Sequence, residues 1–359
     1  MRYIRSITGN FVSISEIEFM AKLTSSKVNT QIDGIDRRLS VAPMMDWTDR
    51  HCRYFHRLLA PQALLFTEMV TAEAILHAGA DRFCAHDVAE APLALQLGGS
   101  DPKRLAAAVA AVKSYEFAEI NLNVGCPSDR VQSGKFGACL MAEPELVAEC
   151  LAAMADVSIA PVTVKCRIGI DDMDPILGLD RFVDKVADSG IKHIYLHARK
   201  AWLKGLSPKE NRDIPPLDYD RAAALAQRRP DLHIYLNGGL VSCEQIYAEL
   251  PRFDGVMIGR AAYKTPYLLA ELSAELFDTP LADRYEVAGK MVAYAHAQIH
   301  AGARLHNITR HMLGLYAGQK GARVFRRHLG EQARQPDADP IIIEQAARFC
   351  AEANDRKVA

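Results

Sequence analysis

The chemistry-bearing residues of this chain are a cysteine held in a Gly-Cys-Pro corner and a set of polar side chains that end short apolar runs. The stretch Asn121-Leu122-Asn123-Val124-Gly125-Cys126-Pro127-Ser128 follows Phe117-Ala118-Glu119-Ile120. Apolar residues give way to Asn, Gly, Cys and Pro within a few positions, as where a strand runs into a loop. A thiol between a glycine and a proline sits on a stiff corner where it can meet a substrate. A buried cysteine acting as a small hydrophobe is the competing reading, and the polar neighbours of Cys126 favour the first. Gln96, Asn123, Lys165, His197, Asn237 and Arg260 end other apolar runs at the same phase. A lone lysine or histidine has an ordinary explanation; six residues at one phase point to a shared site. A thiol can give a proton, and a lysine or histidine can stabilise developing negative charge.

These residues need a frame that brings strand ends together. Eight apolar runs recur: Leu39–Met45, Ala63–Val70, Pro92–Leu97, the run ending at Asn121–Asn123, Val162–Arg167, His193–Arg199, His233–Gly239 and Gly255–Arg260. Between them lie Ala- and Leu-rich helical stretches, and Asp101-Pro102 and Glu143-Pro144 read as helix starts with proline in the first turn. Strand and helix in alternation predict a (β/α)8 TIM barrel, whose active site opens at the C-terminal ends of the strands. An open doubly wound sheet is the alternative, but its usual Gly-x-Gly-x-x-Gly turn is replaced here by Pro43-Met44-Met45-Asp46. From about Leu281 the strand signals stop. Tyr285–Ala301, Ile308–Ala317, Gly321–His328 and Pro340–Ala353 read as helices. The expected division is an N-terminal extension over residues 1–36, poor in order, a barrel over 37–280 and a small all-helical C-terminal domain over 281–359.

Composition narrows the function classes. The chain has 359 residues, 49% hydrophobic and 24% charged, as in a soluble globular protein. No apolar run approaches the length of about 18 residues that spans a membrane. Eight cysteines without a Cys-x-x-Cys pair argue against a metal cage or a disulfide framework, and a reducing cytoplasm is expected. Net charge is −1 but unevenly distributed. Residues 304–334 carry seven basic side chains and one acid, Glu331. That balance suits a polyanionic partner, with a solvated helix face as the plainer alternative.

The last two strands end in Asn237-Gly238-Gly239 and Gly259-Arg260. Glycines let backbone N–H groups approach an anion, and these two loops are the usual phosphate site of a TIM barrel. With Lys165 and Gln96 nearer the centre, the pattern suits a phosphorylated planar ring such as a flavin, lying against Pro43-Met44-Met45.

The ordered motifs resemble those of the tRNA-dihydrouridine synthase family, and most closely its A-type bacterial branch. They are Ala42–Asp49, Gln96–Gly99, Asn121–Ser128, Val164–Gly169, His197–Trp202, Asn237–Gly239 and Gly259-Arg260. The stretches Gly205–Arg212 and Ile308–Leu315 resemble the A-type branch in particular. The resemblance implies an FMN-bearing barrel with a helical tRNA-binding domain, NADPH or NADH as reductant, and reduction of D-loop uridines at tRNA positions 20 and 20a. It implies that Pro43, Met44, Met45, Gln96, Lys165, His197, Asn237, Gly238, Gly239, Gly259 and Arg260 hold FMN. By the same resemblance Cys126 is the proton donor, Asn123 lies beside the uridine, and Lys204, Arg323 and Arg326 meet tRNA. No metal and no membrane are expected, and a monomer is expected. Hydride should add at uracil C6 and a positioned acid should protonate C5. A thiol, with an ordinary pKa of about 8.5, is mostly protonated at neutral pH. Either His197 or Lys165 could meet the developing charge. The competing activity is another FMN-barrel reductase acting on a free pyrimidine or small enone, and it would have no need of a basic helical appendage.

Overall fold

Eight parallel strands, each followed by a helix, wrap into a barrel. The computed structural model describes residues 34–355, together with the backbone of short strands at Tyr3–Arg5, Phe11–Ser13 and Gln31–Ile32. The expectation for the rest of the N-terminal extension lies outside the described residues. The barrel strands are β1 (Leu39–Val41), β2 (Leu65–Thr71), β3 (Leu93–Gly98), β4 (Glu119–Val124), β5 (Val162–Arg167), β6 (His193–His197), β7 (His233–Asn237) and β8 (Gly255–Ile258). From β2 to β8 each strand pairs in parallel with the next, β8 pairs with β1, and the isolated Ser40–Leu64 bridge joins β1 to the residue before β2. The helices that follow are α1 (Arg50–Leu59), α2 (Ala72–Ala78), α3 (Pro102–Ala111), α4 (Pro144–Val157), α5 (Leu177–Asp188), α6 (Tyr219–Arg228), α7 (Cys243–Glu249) and α8 (Tyr267–Phe277).

Local chemistry explains these boundaries. Asp101 caps α3 by accepting from Arg104 N, with Pro102 in the first turn as predicted. Glu143 starts α4 without a side-chain cap. β1 is shorter than its apolar run because Pro43 lacks an N–H and Asp46 takes a φ of 64°. Along the strands the side chains alternate between two faces. In β4, Ile120, Leu122 and Val124 pack outward under the helices, while Glu119, Asn121 and Asn123 face the lumen. Phe66, Tyr195, Tyr235 and Met257 fill the lower lumen as a separate apolar cluster.

After the barrel come α9 (Arg284–His300), α10 (Leu305–Thr309), α11 (Ala322–Gln332) and α12 (Ile342–Asp355). The helix expected over Ile308–Ala317 is not formed: residues 310–320 run as turns. Two contacts hold them so. Gly314 approaches so closely that a Cβ there would lie 2.4 Å from Lys264 O. Arg310 and His311 are drawn to Asp49, at 2.7 and 3.0 Å. Asp49 also caps α1 by accepting from His51 N and Cys52 N. Burial opposes its charge, but hydrogen bonds from His311 and Arg310 hold its pKa well below the usual carboxylate range. The helical region also stacks Tyr294 on Tyr54 of α1, centroids 3.9 Å apart.

Candidate active site

Gln96, Asn123, Lys165, His197, Asn237 and Arg260 converge, as expected, on one cavity of about 500 Å³ at the C-terminal mouth of the barrel. Pro43, Met44, Met45, Cys126, Gly238, Gly239 and Gly259 line the same cavity. The wall also holds residues that sequence reasoning did not single out, above all Arg167 and Arg212. Trp47, stacked on Tyr263 at 4.3 Å, borders it. Lys204, Arg323 and Arg326 do not line it; all three are exposed elsewhere.

The Cys126 corner is fastened on every side. Gly125 N and Cys126 N both donate to Asn123 Oδ1, at 3.1 and 3.0 Å. Arg167 Nε donates to Gly125 O at 2.9 Å, and Ala138 N to Cys126 O at 2.9 Å. The last contact requires Gly137, which has a φ of 77° and whose Cβ would stand 2.6 Å from Cys126 O. The thiol is half-buried, with Sγ 3.5 Å from Ser128 Oγ.

The electrostatics of the mouth are lopsided. Burial pushes the Lys165 ammonium down to about 8, and the neighbouring Arg167 adds to the shift. Lys165 has no hydrogen-bond or ion-pair partner among the described residues, and it opens onto the cavity. Arg167, lowered to about 10 by burial, donates only to the carbonyls of Gly125, Lys200 and Asn211. The Arg212 guanidinium also lacks a protein partner among the described residues, and burial followed by Arg260 lowers its pKa. Burial, then Arg167 and Lys165, drive His197 well below the ordinary imidazole value, so it is neutral at pH 7. Two acids stand near this group: Asp213 pairs with Arg260 at 2.7 Å, and Asp46 lines the cavity. The helix after Gly259 is only Arg260–Lys264, so the positive charge at that end comes from arginines more than from a helix dipole.

Close backbone approach is visible at Gly238. Its φ is 109°, and a Cβ there would lie 2.3 Å from His197 Cδ2. Asn237 Nδ2 donates to Met257 O at 2.7 Å and so ties β7 to β8 beneath the glycines.

A barrel mouth that joins a fastened thiol to partnerless cations has the chemistry to take an anionic or carbonyl-rich ligand. The Dihydrouridine synthase (Dus) family model matches residues 40–352, and the chain belongs to this family of oxidoreductases. It is 55% identical over 311 residues to the tRNA-dihydrouridine(20/20a) synthase of Xanthomonas campestris pv. campestris, covering 87% of this chain and 93% of that protein. The protein of the same name from Vibrio cholerae is 55% identical over 312 residues, covering 86% and 95%. That of Haemophilus ducreyi is 53% identical over 317 residues, covering 88% and 98%. Morphinone reductase is 12% identical with a TM-score of 0.49, over 70% of this chain and 88% of that one, a likeness too distant to bear on the chemistry.

Proposed function

We propose that the barrel mouth binds FMN, and that the protein uses it, with NADPH or NADH as reductant, to reduce the C5=C6 bond of uridines in the tRNA D-loop. Positions 20 and 20a are the targets that the relatives' shared name indicates. The observation that carries this reading is Lys165, a cation in the barrel with no partner among the described residues, facing the same cavity as Cys126. A volume of about 500 Å³ suits a small-molecule site, and a wall with partnerless cations suits a phosphorylated, carbonyl-rich ring. Gly238, Gly239, Gly259 and Arg260 would hold the phosphate. Lys165, Gln96, His197, Asn237 and Pro43–Met45 would hold the ring. FMN, when bound, supplies the hydride for uracil C6.

The rest is the work of this chain's own side chains. Cys126 gives its Sγ proton to C5, as a positioned acid. Lys165 carries most of its charge at pH 7, because its pKa of about 8 lies above that pH. It and Arg212 can therefore meet negative charge that develops in the cavity, while neutral His197 offers a hydrogen bond. Asn123 stands between Cys126 and Gln96 and has an N–H left for the uracil. A base must leave its stack to reach this depth.

Six of the seven basic side chains of residues 304–334 are exposed without a carboxylate partner among the described residues; Arg310 instead pairs with Asp49. Arg323 and Arg326 stand on the outer face of α11 and, with Lys204, would meet RNA phosphates. Among the described residues no helix is long and apolar enough to cross a membrane, consistent with tRNA in the cytoplasm as substrate. The test is the absorbance of the purified protein. A yellow protein releasing one FMN per chain is expected, and a colourless one that cannot be reconstituted with FMN would overturn the proposal.

A further inference from the structure

Beneath the mouth, five buried polar side chains form one unbroken line through the barrel lumen. Thr163 Oγ1 donates to Glu119 Oε1 at 2.7 Å. Asn121 Nδ2 donates to Thr163 Oγ1 at 2.8 Å, and Gln96 Nε2 to Asn121 Oδ1 at 2.8 Å. Asn123 Nδ2 donates to Gln96 Oε1 at 2.7 Å. Asn123 Oδ1 then receives the backbone N–H groups of Gly125 and Cys126. Glu119, Asn121 and Thr163 have no exposed surface. At the foot, Glu119 Oε2 accepts from Arg37 Nε at 2.7 Å and from Tyr195 OH at 3.1 Å.

The direction of this line is forced from both ends. A carboxylate paired with a guanidinium can only accept, so the Thr163 hydroxyl must donate downward. Its oxygen then takes the Asn121 amino group, which turns the Asn121 carbonyl to Gln96. Gln96 must in turn show its carbonyl to Asn123, leaving the Asn123 oxygen for the loop. The loop supplies only N–H groups at that point, so the upper end demands the same direction. Asparagine and glutamine amides are otherwise free to sit either way round. Here one buried anion at the floor fixes three of them.

We propose that Glu119, acting through Thr163 and Asn121, is a positioning residue for Cys126: the ion pair at the barrel floor sets the orientation of the amides that fasten the thiol corner at the mouth. A corollary is that Gln96 and Asn123 keep N–H groups free toward the cavity, so the lumen side of the site recognises carbonyl oxygens. The proposal rests on the reading of Cys126 as the proton donor.

The test compares Thr163→Val with Thr163→Ser in the FMN-loaded protein. Valine matches threonine in shape but cuts the line, whereas serine keeps the hydroxyl. Misplacing a reacting group by about 1 Å can slow a reaction on the order of 100-fold. Flavin reoxidation by tRNA should therefore fall roughly 10- to 100-fold in Thr163→Val and recover in Thr163→Ser, with flavin reduction by NADPH unchanged. Alkylation by iodoacetamide, followed residue by residue in peptide maps, should quicken several-fold at Cys126 in the valine variant. Cys139 and Cys243, also half-buried, should keep their wild-type rates. Wild-type alkylation and turnover in Thr163→Val overturn the proposal, as does a parallel change at all three cysteines, which would mean general loosening. Faster alkylation with unchanged turnover leaves the positioning role standing and removes Cys126 as the acid. Should the valine variant not fold, hydrogen exchange of the wild type decides. The Gly125 and Cys126 amides should be strongly protected, and fast exchange there overturns the proposal.

Discussion

At the floor of the barrel the Arg37 guanidinium lies 2.7 Å from Glu119, with Tyr195 alongside. At the mouth the Lys165 ammonium faces the cavity without an ion-pair partner among the described residues. Both cations sit inside the same lumen, and burial works against the charge of each. At Arg37 the attraction of Glu119 outweighs burial and holds the pKa above the ordinary arginine value. At Lys165 burial dominates and Arg167 adds to it, Cys166 and Cys126 offset only a part, and the pKa falls to about 8. A buried charge without a partner is unfavourable. Its persistence at one end, beside a thiol and further arginines, is what the proposed ligand would relieve. The pair at the other end shows that the fold can satisfy a buried cation where no ligand is needed.

The contrast can be broken by substitution, starting with the largest effect. Cys126→Ala should fold, bind FMN and accept hydride from the nicotinamide cofactor, yet lose about 10²–10⁴-fold in flavin reoxidation by tRNA, followed by stopped-flow absorbance. A wild-type rate would make the thiol structural, and lost flavin would make its main work packing.

Next comes the pair of cations. Arg37→Met strands Glu119 and should destabilise the protein by about 3–5 kcal/mol in urea unfolding. Lys165→Met strands no partner, so the FMN-free protein should be at least as stable as wild type while retaining FMN poorly. Equal destabilisation by the two changes would erase the distinction between floor and mouth.

The same contrast has a pH signature. The Lys165 pKa is lower folded, at about 8, than the ordinary lysine value of 10.5. Between those values the unfolded chain binds more protons, so the stability of the FMN-free protein rises with pH there. The penalty is full below about pH 8 and is relieved toward 10.5. The difference between wild type and Lys165→Met, from unfolding at several pH values, should show this slope, and bound FMN should flatten it.

Arg260→Ala should weaken FMN retention by about 1.5–3 kcal/mol, the worth of a charge-assisted hydrogen bond, measured by flavin fluorescence on dilution. The smallest effect lies away from the barrel. Arg323→Ala and Arg326→Ala should each lower the salt slope of tRNA binding by about 1 without changing flavin content. Unchanged affinity and slope in the double variant would remove α11 from the RNA surface.

Much of this was legible in the chain. Apolar runs of strand length, punctuated by Pro, Gly and Asx, marked all eight barrel strands, because burial under helices demands such runs. The polar residues closing them were visible for the same reason: the C-terminal end of each strand is where the lumen opens. The turns at 310–320 were hidden, since helical residues such as Leu313, Leu315 and Tyr316 are overruled by the approach of Gly314 to Lys264 O and by the pull of Asp49 on Arg310 and His311. Arg212 was hidden too, because it lies in a long loop whose path no local pattern sets.

The sequence by itself determined the strands, the phase of the site residues, the thiol corner and the family, since each is written in contiguous residues or in their spacing. Only the tertiary structure decided which polar groups have partners. Arg37 meets Glu119 across 82 positions, Asp49 meets Arg310 across 261, and Lys165 meets none among the described residues. Partnership depends on distances between side chains far apart in the chain, and closing the barrel is what sets those distances.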